Sequence, residues 1–201
     1  MEIRRPAQDD PLQRFLALLE RAKATPQVVE PTAMTLATVS AEGRPSARVV
    51  LLKDADEDGL VFYTNLDSRK GREALARPDV ALLFWWGQLE SQVRFEGRAE
   101  RVSDEEADAY FATRARGSQL GAWASAQSRP LASRAELEAK LAEVTDKFEG
   151  MPVPRPPHWS GLRVKPLSIE FWRNRPNRLH ERELYTREKP GAPWSVQLLN
   201  P

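Results

Sequence analysis

The sequence predicts a mainly β fold, in which an antiparallel barrel carries helices packed on its outside. The predicted elements run in the order helix, short strands with tight turns, helices, and further strands. This order lacks the regular alternation of strand and helix that is typical of a parallel doubly wound sheet. Residues 92–101 alternate polar and apolar side chains, as a half-buried antiparallel strand does. An antiparallel barrel accommodates both observations.

The first element is a helix that begins at Asp10-Pro11. Asp10 is a good N-cap, and proline is favoured at the first helical position. Apolar residues then recur at i, i+3, i+4 and i+7, which gives the helix one apolar face. These residues are Leu12, Phe15, Leu16 and Leu19. The helix is expected to end before Pro26.

Short strands joined by turns follow the first helix. The turn signals are Glu42-Gly43 and the segment 56–59. The strands predicted around these turns cover residues 34–39, 47–53 and 60–65. A later apolar run over 80–86 predicts a strand that is buried on both faces. In the alternating strand 92–101 the apolar face is formed by Val93, Phe95, Gly97 and Ala99.

Two capping boxes predict helices in the second half of the chain. One begins at Ser103 and its helix runs through Tyr110 and Phe111; the other begins at Ser133 and its helix ends at Gly150. The apolar side of the second helix consists of Leu137, Leu141, Val144 and Phe148. Strands over 168–172 and 182–187 are expected to close the fold, with a last turn over 189–193.

Composition argues against several classes of function. The chain has 201 residues with a net charge of +1, and this near-neutral balance argues against a general nucleic-acid binder. No apolar run approaches the roughly 18 residues of a membrane span. The absence of cysteine excludes disulfides and thiolate chemistry, and two histidines are too few for most metal sites, so no metal is expected. The polar N-terminus does not resemble a secretory signal, which favours a cytoplasmic protein.

A helix start with basic residues is the first candidate site. Ser68 precedes a short helix that runs from Arg69 to about Arg77, and Pro78 stops it. A helix N-terminus attracts anions, and Arg69 and Lys70 add two cations there. This is the chemistry that a phosphate monoester requires. The alternative is that Ser68 only caps the helix and that the cations are solvated.

Tyr110, Arg114 and Ser118 form a second candidate site. Tyr110 and Arg114 are i, i+4 neighbours on one predicted helix face, and Ser118 lies in the predicted turn after it. A phenol, a guanidinium and a hydroxyl together can hold a phosphate, although an ordinary helix end is the alternative. Two phosphate-binding groups imply two phosphorylated small molecules, a cofactor and a substrate.

Residues Arg178, His180 and Arg182 are spaced by two, so an extended backbone would place all three on one face. Two guanidiniums beside an imidazole can bind an anion, and the alternative is an edge strand protected by charges. Arg48 and Lys53 bracket an apolar strand on opposite faces if the alternation is strict. To share one pocket, they require either a bulge or a Lys53 that lies past the strand end.

Five ordered segments of the chain resemble the pyridoxamine 5′-phosphate oxidase family over nearly the whole length. The segments are 48–53, 61–65, 68–70, 119–128 and 178–182. The resemblance implies a single FMN-binding split β-barrel domain over 1–201, antiparallel and flanked by helices, with a C-terminal dimerisation and active-site segment at about 158–201. It also implies a homodimer with FMN at the subunit interface.

The resemblance further implies the roles of individual residues. The implied FMN ligands are Arg48, Val49, Lys53, Tyr63, Thr64, Ser68, Arg69, Lys70, Gln92, Gln127, Ser128, Trp172 and Arg182, partly contributed by the second subunit. The implied grip on the substrate phosphate consists of Lys53, Tyr110, Arg114 and Ser118. Arg178 and His180 are implied to act at the pyridine ring as catalytic and substrate-binding residues.

The implied reaction converts pyridoxamine or pyridoxine 5′-phosphate to pyridoxal 5′-phosphate. Dioxygen is the acceptor, hydrogen peroxide is released, and the amine substrate also gives ammonia. FMN supplies the redox chemistry, and the protein positions the substrate. Two alternatives stay open: a related flavin oxidase acting on another ring, such as a phenazine precursor, and a split-barrel protein that binds flavin or pyridoxal phosphate without turnover.

Overall fold

A computed structural model describes residues 5–6 and 10–201, which form ten strands and five α-helices. The strands are β1 (Arg5–Pro6), β2 (Ala33–Val39), β3 (Pro45–Leu51), β4 (Asp54–Asp56), β5 (Gly59–Asn65), β6 (Asp79–Trp86), β7 (Ser91–Arg101), β8 (Trp159–Arg173), β9 (Glu181–Thr186) and β10 (Ser195–Leu198). The helices are α1 (Pro11–Lys23), α2 (Arg69–Ala76), α3 (Asp104–Ala112), α4 (Arg116–Ala124) and α5 (Arg134–Lys147).

All strand pairs are antiparallel, in the order β1-β10-β9-β8-β7-β6-β2-β3, and β5 pairs with both β4 and β8. The long strand β8 organises the sheet, since its first half pairs with β5 and its second half with β9. Between these halves the register with β7 shifts at Glu96/Gly97. Such an irregularity bends a strand, so the sheet curls into a half-barrel. The predicted antiparallel barrel with flanking helices is thereby confirmed.

Helix α1 packs its apolar face into the open side of the curled sheet. Asp10 caps it as predicted, because its carboxylate accepts a hydrogen bond from the Leu12 N–H at 2.8 Å. Phe15 is fully buried and lies with its ring centroid 5.0 Å from that of Phe84 and 4.8 Å from that of Phe95. The α1 helix therefore completes the main core, as its i, i+3, i+4, i+7 pattern predicted.

The alternation predicted for β7 is confirmed, whereas the prediction that β6 is buried on both faces is wrong. Val93, Phe95, Gly97 and Ala99 all point into the core. In β6 every second residue is buried, but Trp85 on the opposite face keeps 57% of its surface exposed. A continuous apolar run does not by itself distinguish a strand that is buried on both faces from one that leaves one face partly exposed.

The helical predictions are correct in kind but not in extent. Ser103 and Ser133 cap α3 and α5 as expected. However, α3 ends at Ala112, and a separate helix α4 that was not predicted follows it. The apolar side predicted for α5 is only partly covered in this chain, because no residue within the helix is buried and only Phe148 just after it is. Among the described residues, no helix has the length and apolar character needed to cross a membrane.

The closing strands are longer and more numerous than the sequence predicts. The strand predicted over 168–172 is the second half of β8, which begins at Trp159. Polar and basic residues such as Ser160 and Arg163 interrupt the apolar pattern of its first half, so this part was not recognised. Strand β9 was predicted to within one residue, and β10 was missed because it is short.

Candidate active site

A cavity of about 490 Å³ opens between the ends of β3 and β5 and the helices α2 and α4. It combines cationic, hydroxyl and aromatic residues with the last residues of β3. Nine of the predicted site residues line it, namely Val49, Lys53, Tyr63, Thr64, Lys70, Tyr110, Arg114, Ser118 and Gln127. Asn65, Ser125 and Trp159 line it as well. The fold thus brings residues from five segments of the chain into one pocket.

Parallel aromatic rings form one wall of this cavity. The ring centroids of Tyr63 and Tyr110 lie 3.9 Å apart, and those of Tyr63 and Trp159 lie 5.2 Å apart, with each pair 9° from parallel. Burial raises the pKa of Tyr63 to about 12, with further contributions from the charge of Glu106 and from Tyr110. Both phenols are therefore neutral hydrogen-bond donors at physiological pH.

Arg114 supplies an unused hydrogen-bond donor to this wall. Its guanidinium carbon lies 4.8 Å from the Trp159 ring centroid, and its Nη1 is buried without a hydrogen-bond partner among the described residues. Burial lowers the pKa of Arg114, and Tyr110 partly opposes that effect. Buried charged donors are normally paired, so this atom indicates an anionic ligand.

The local structure around Arg114 differs from the prediction. Tyr110 lies in the last turn of α3, whereas Arg114 lies past its end in the connection to α4. The two residues are therefore not i, i+4 neighbours on a continuous helix. Ser118 was predicted to lie in the loop after the helix, but it belongs to the beginning of helix α4. The cavity nevertheless brings Tyr110, Arg114 and Ser118 together, because the break between the helices turns α4 back toward β5.

Lys70 crosses the cavity mouth toward the segment after α4. Its Nζ donates to Gln127 Oε1 at 2.8 Å and to Thr64 Oγ1 at 3.2 Å. Burial and the nearby charge of Arg48 both lower the pKa of Lys70. Ser128 follows Gln127 with a positive φ of 68° and is exposed. This arrangement places a desolvated ammonium and two polar side chains where a phosphate or a polar ring edge can bind.

Ser68 and Arg69 begin α2 as predicted. Ser68 is fully buried, and its Oγ accepts a hydrogen bond from the Gly71 N–H at 3.2 Å. The capping interpretation of Ser68 is therefore confirmed, while its role as a ligand stays a prediction. Arg69 donates its Nε to Glu73 Oε1 at 2.8 Å.

Lys53 lies past the strand end, as the second of the two alternatives requires, but Arg48 and Lys53 do not line one pocket. Strand β3 ends at Leu51, so Lys53 lies past the strand end and lines the cavity. Arg48 projects toward α2, where its Nη2 contacts Glu73 Oε2 at 3.3 Å. Burial lowers the pKa of Arg48, although the charge of Glu73 opposes this effect. Arg48 thus lies next to the basic start of α2 rather than on the cavity wall.

The remaining predicted residues form a separate group on β7, β8, β9 and the turn that precedes β9. Gln92 pairs with Trp172 across the sheet, and Trp172 pairs with Arg182. The His180 ring centroid lies 4.6 Å from that of Trp172, and Arg182 Nε donates to Glu170 at 2.8 Å. Arg178 has a φ of 60° in a 3₁₀ turn before β9. The segment 178–182 is therefore not continuously extended, and the condition for placing Arg178, His180 and Arg182 on one strand face is not met.

None of this second group lines the first cavity. Gln92 and Trp172 instead line a separate pocket of about 350 Å³ beside α1. Within one chain, Gln92 and Trp172 therefore do not share a cavity with Tyr110, Arg114 and Ser118.

Two residues near the site were missed by sequence reasoning. Trp159 belongs to the unrecognised half of β8, and no local signal links it to Tyr63. Glu73 contacts both Arg48 and Arg69 and is nearly buried. Its i, i+4 spacing from Arg69 on a predicted helix is a signal that could have revealed this ion pair.

The donor set fits a phosphorylated aromatic cofactor together with a phosphorylated aromatic substrate. Cations suited to phosphate occur at two places, at the start of α2 and around Arg114. The parallel aromatic wall suits a planar ring. No cluster of three or more His, Asp or Glu side chains suited to a metal ion occurs within 5–6 and 10–201.

Two family descriptions match the chain. Pyridoxamine 5′-phosphate oxidase matches residues 20–148, and the pyridoxine 5′-phosphate oxidase C-terminal dimerisation region matches residues 159–201. The first covers the residues that line the cavity, except Trp159, together with the basic start of α2. The second covers β8, β9, β10 and the turn between β8 and β9, and thus all of the second group except Gln92.

Proteins named pyridoxine/pyridoxamine 5′-phosphate oxidase are similar over almost the full length. That of Myxococcus xanthus strain DK1622 is 63% identical over 192 residues, which are 96% of this chain and 92% of the relative. That of Rubrobacter xylanophilus is 60% identical over 195 residues, 97% of this chain and 88% of the relative.

A solved structure supports the same fold. PhzG from Burkholderia lata 383, determined in complex with tetrahydrophenazine-1-carboxylic acid, superposes with a TM-score of 0.88 at 33% identity, covering 96% of this chain and 93% of that chain. The predicted family, its oxidase class and FMN as its cofactor are confirmed by these matches. The chain therefore belongs to the pyridoxamine 5′-phosphate oxidase family, an FMN-dependent family of oxidases with a dimerisation region at the C-terminus.

Proposed function

We propose that the protein oxidises pyridoxamine 5′-phosphate and pyridoxine 5′-phosphate to pyridoxal 5′-phosphate. Dioxygen is the acceptor and hydrogen peroxide the second product, with ammonia released from the amine. The observation that carries this proposal is the unpartnered, buried Nη1 of Arg114 beside Tyr110 in a cavity also lined by Ser118 and Lys53. These four side chains form a grip for a phosphate monoester.

The flavin phosphate is assigned to the other cationic group. Arg48, Arg69 and Lys70 surround the N-terminus of α2, with Thr64 and Gln127 in contact with Lys70. When bound, FMN supplies the two-electron oxidation at C4′ of the substrate and is reoxidised by dioxygen. The further FMN contacts proposed within this half are Val49, Lys53, Tyr63, Ser68 and Ser128.

We infer that the active form is a homodimer with FMN between the subunits. The match to a dimerisation region over 159–201 supports this inference, as does the separation of the two groups of residues. Gln92, Trp172 and Arg182 of one chain would then complete the FMN site formed by its partner. The exposed side chain of Trp85, next to Trp172 at 5.8 Å between ring centroids, is available to such an interface.

Arg178 and His180 are proposed to act at the pyridine ring of the substrate. The positive φ of Arg178 turns the chain away from an extended path just before His180. The His180 ring contacts Trp172, which limits its rotation. A guanidinium and an imidazole held there would orient C4′ and stabilise charge on the ring, and the substrate phosphate grip would fix the distance.

A second candidate function is oxidation of a phenazine precursor, because the PhzG structure is similar over nearly the full chain. Such a substrate carries a carboxylate but no phosphate. Four phosphate-type side chains around one cavity favour the phosphorylated substrate. A third candidate, binding of flavin without turnover, would leave the Arg114 donor without an evident partner.

The test is a direct comparison of substrates with the purified, FMN-loaded protein. Peroxide and aldehyde formation would be measured with pyridoxamine 5′-phosphate, pyridoxine 5′-phosphate, unphosphorylated pyridoxamine and tetrahydrophenazine-1-carboxylic acid. We expect peroxide and aldehyde from the two phosphorylated substrates and little from unphosphorylated pyridoxamine. Turnover of the phenazine compound alone would support the second candidate, and a flavin spectrum without any turnover would support the third.

A further inference from the structure

Glu73 on α2 collects hydrogen bonds from two predicted FMN ligands and two hydroxyls. Its Oε1 accepts from Arg69 Nε at 2.8 Å. Its Oε2 accepts from Thr38 Oγ1 at 2.5 Å, from Ser46 Oγ at 2.6 Å and from Arg48 Nη2 at 3.3 Å. The side chain of Glu73 is only 8% exposed. One carboxylate thus connects α2 with the neighbouring strands β2 and β3.

The two hydroxyls extend this connection to Arg48. Thr38 accepts from Arg48 Nη1 at 2.6 Å while it donates to Glu73, and Ser46 accepts from Arg48 Nη2 at 2.5 Å while it donates to Glu73. Every partner of Glu73 therefore donates to it. Only an ionised carboxylate, which is an acceptor at both oxygens, satisfies all of these contacts.

The ionised state is also favoured energetically. Burial opposes the charge, but the hydrogen bonds from Ser46, Thr38 and Arg69 outweigh it and lower the pKa of Glu73 to about 2. The carboxylate is consequently charged across the physiological range. It offsets the repulsion between the guanidiniums of Arg48 and Arg69, which lie on either side of it.

The hydrogen bond to Glu73 uses the Nε of Arg69 and not its terminal nitrogens. Because Glu73 engages Nε, the two terminal nitrogens of Arg69 stay free of partners among the described residues. Arg69 keeps 57% of its side chain exposed, so these nitrogens are open to a ligand. A pair of terminal nitrogens is the edge that binds a phosphate through two parallel hydrogen bonds.

We propose that Glu73 is a positioning residue that orients Arg69 toward the FMN phosphate and fixes the neighbouring charge of Arg48, whose terminal nitrogens already donate to Leu36 O, Thr38, Ser46 and Glu73. This inference rests on the proposed FMN site. A carboxylate near a phosphate would by itself weaken binding through repulsion. Glu73 increases the affinity for FMN only if the benefit of orienting the guanidiniums exceeds that repulsion. Whether FMN binds more weakly or more tightly without the Glu73 carboxylate therefore tests the proposal.

The experiment compares Glu73→Gln with the wild-type chain after removal of bound flavin. The amide keeps the shape of the side chain but presents an N–H₂ group to donors, so it cannot satisfy all four contacts. Titration with FMN and with riboflavin, followed by flavin fluorescence, measures the two dissociation constants. We expect FMN to bind roughly tenfold more weakly, a coupling of the size seen within one hydrogen-bond network, and riboflavin to bind unchanged.

Glu138→Gln is the matched control. Glu138 forms an i, i+4 pair with Arg134 Nε at 3.0 Å, which reproduces the Arg69–Glu73 geometry on the exposed helix α5. The same chemical change there should alter neither dissociation constant. If Glu73→Gln does not yield folded protein, Glu73→Asp keeps the charge and shortens the reach, and it should weaken FMN but not riboflavin.

Two results would overturn the inference. Unchanged or tighter FMN binding would mean that repulsion outweighs positioning. Equal loss of FMN and riboflavin affinity would mean that Glu73 supports only the local structure. The Arg69→Ala variant tests the proposed phosphate site independently of Glu73. If that variant binds FMN normally, the assignment of the FMN phosphate to this site is itself wrong. If Arg69→Ala loosens FMN and Glu73→Gln does not, only the role of Glu73 is refuted.

Discussion

Replacing Arg114 with alanine tests the proposed grip on the substrate phosphate. The Nη1 atom of Arg114 is buried and has no partner among the described residues, so a bound phosphate would supply its first strong acceptor. A hydrogen bond to a charged group contributes about 1.5–3 kcal/mol, and removing one member of a buried charge pair costs about 2–5 kcal/mol. Taking about 3 kcal/mol, we expect kcat/KM for pyridoxamine 5′-phosphate to fall roughly 150-fold.

The same substitution should change the stability of the substrate-free protein much less. It removes the contacts of Arg114 with the rings of Phe111 and Trp159, at 5.5 and 4.8 Å from their centroids. Such contacts contribute about 0.5–1 kcal/mol each. It also removes an unsatisfied buried donor, which costs a folded protein about 1–3 kcal/mol. These effects oppose one another, so the melting temperature should shift little.

Steady-state kinetics with FMN-saturated enzyme would measure this prediction, using pyridoxamine 5′-phosphate and unphosphorylated pyridoxamine in parallel. Arg116→Ala is the control, because the terminal nitrogens of Arg116 already donate to the carbonyls of Met151 and Phe148 at 2.9 and 2.7 Å. That variant should lose stability and keep its kinetics. The reasoning fails if Arg114→Ala retains wild-type kcat/KM, or if it loses the same factor with both substrates.

Further predictions concern Arg178, the start of α2 and Glu73. Arg178→Ala should lower kcat at least tenfold while the FMN dissociation constant stays the same, as stopped-flow reduction and flavin titration would measure; unchanged turnover would remove Arg178 from the mechanism. Ser68→Ala should lower the free energy of unfolding by about 1 kcal/mol through the lost cap. Gly71→Ala should cost more in the same denaturation assay, because its Cβ would lie 2.4 Å from the backbone oxygen of Leu66. For Glu73, a folded-state pKa of about 2 against an ordinary 4.5 corresponds to about 3 kcal/mol. Because this pKa is depressed, the stabilisation is complete above about pH 4.5 and is lost as the pH falls toward 2, so acid denaturation of wild type and Glu73→Gln should converge over that window.

Local sequence signals predicted most elements of the fold but not the extent of each. Caps and turns act within a few residues, and so Asp10, Ser68, Ser103 and Ser133 each mark a helix start correctly. The first half of β8 contains no such local signal, because its residues pair with two strands that are distant in sequence, β5 and β7. Long-range pairing of this kind overrides local preference.

The candidate site was predictable in its chemistry and less so in its geometry. Residue types that bind phosphate could be recognised from Arg69, Lys70 and Arg114 wherever the chain placed them. The grouping of Tyr110, Arg114 and Ser118 in one cavity depends on the break between α3 and α4. The sequence analysis placed Tyr110 and Arg114 on one continuous helix and therefore did not predict this break. Trp159 joins the aromatic wall because β5 pairs with the first half of β8, which places Trp159 opposite Asn65 and two residues from the partner of Tyr63.

The separation of the two groups of residues follows from the sheet itself. Residues directly opposite one another on antiparallel strands share a face, so Trp85, Gln92, Trp172 and Arg182 form one row across β6, β7, β8 and β9. The cavity instead lies at the ends of β3 and β5, and none of the four residues of this row lines it. We therefore propose that a two-fold partner presents its row to the cavity. A variant that is fully folded but monomeric should therefore bind FMN weakly and turn over no substrate, and mixing Arg69→Ala with Arg182→Ala protein should restore activity at one site in each mixed dimer. Absence of such complementation would refute the shared site.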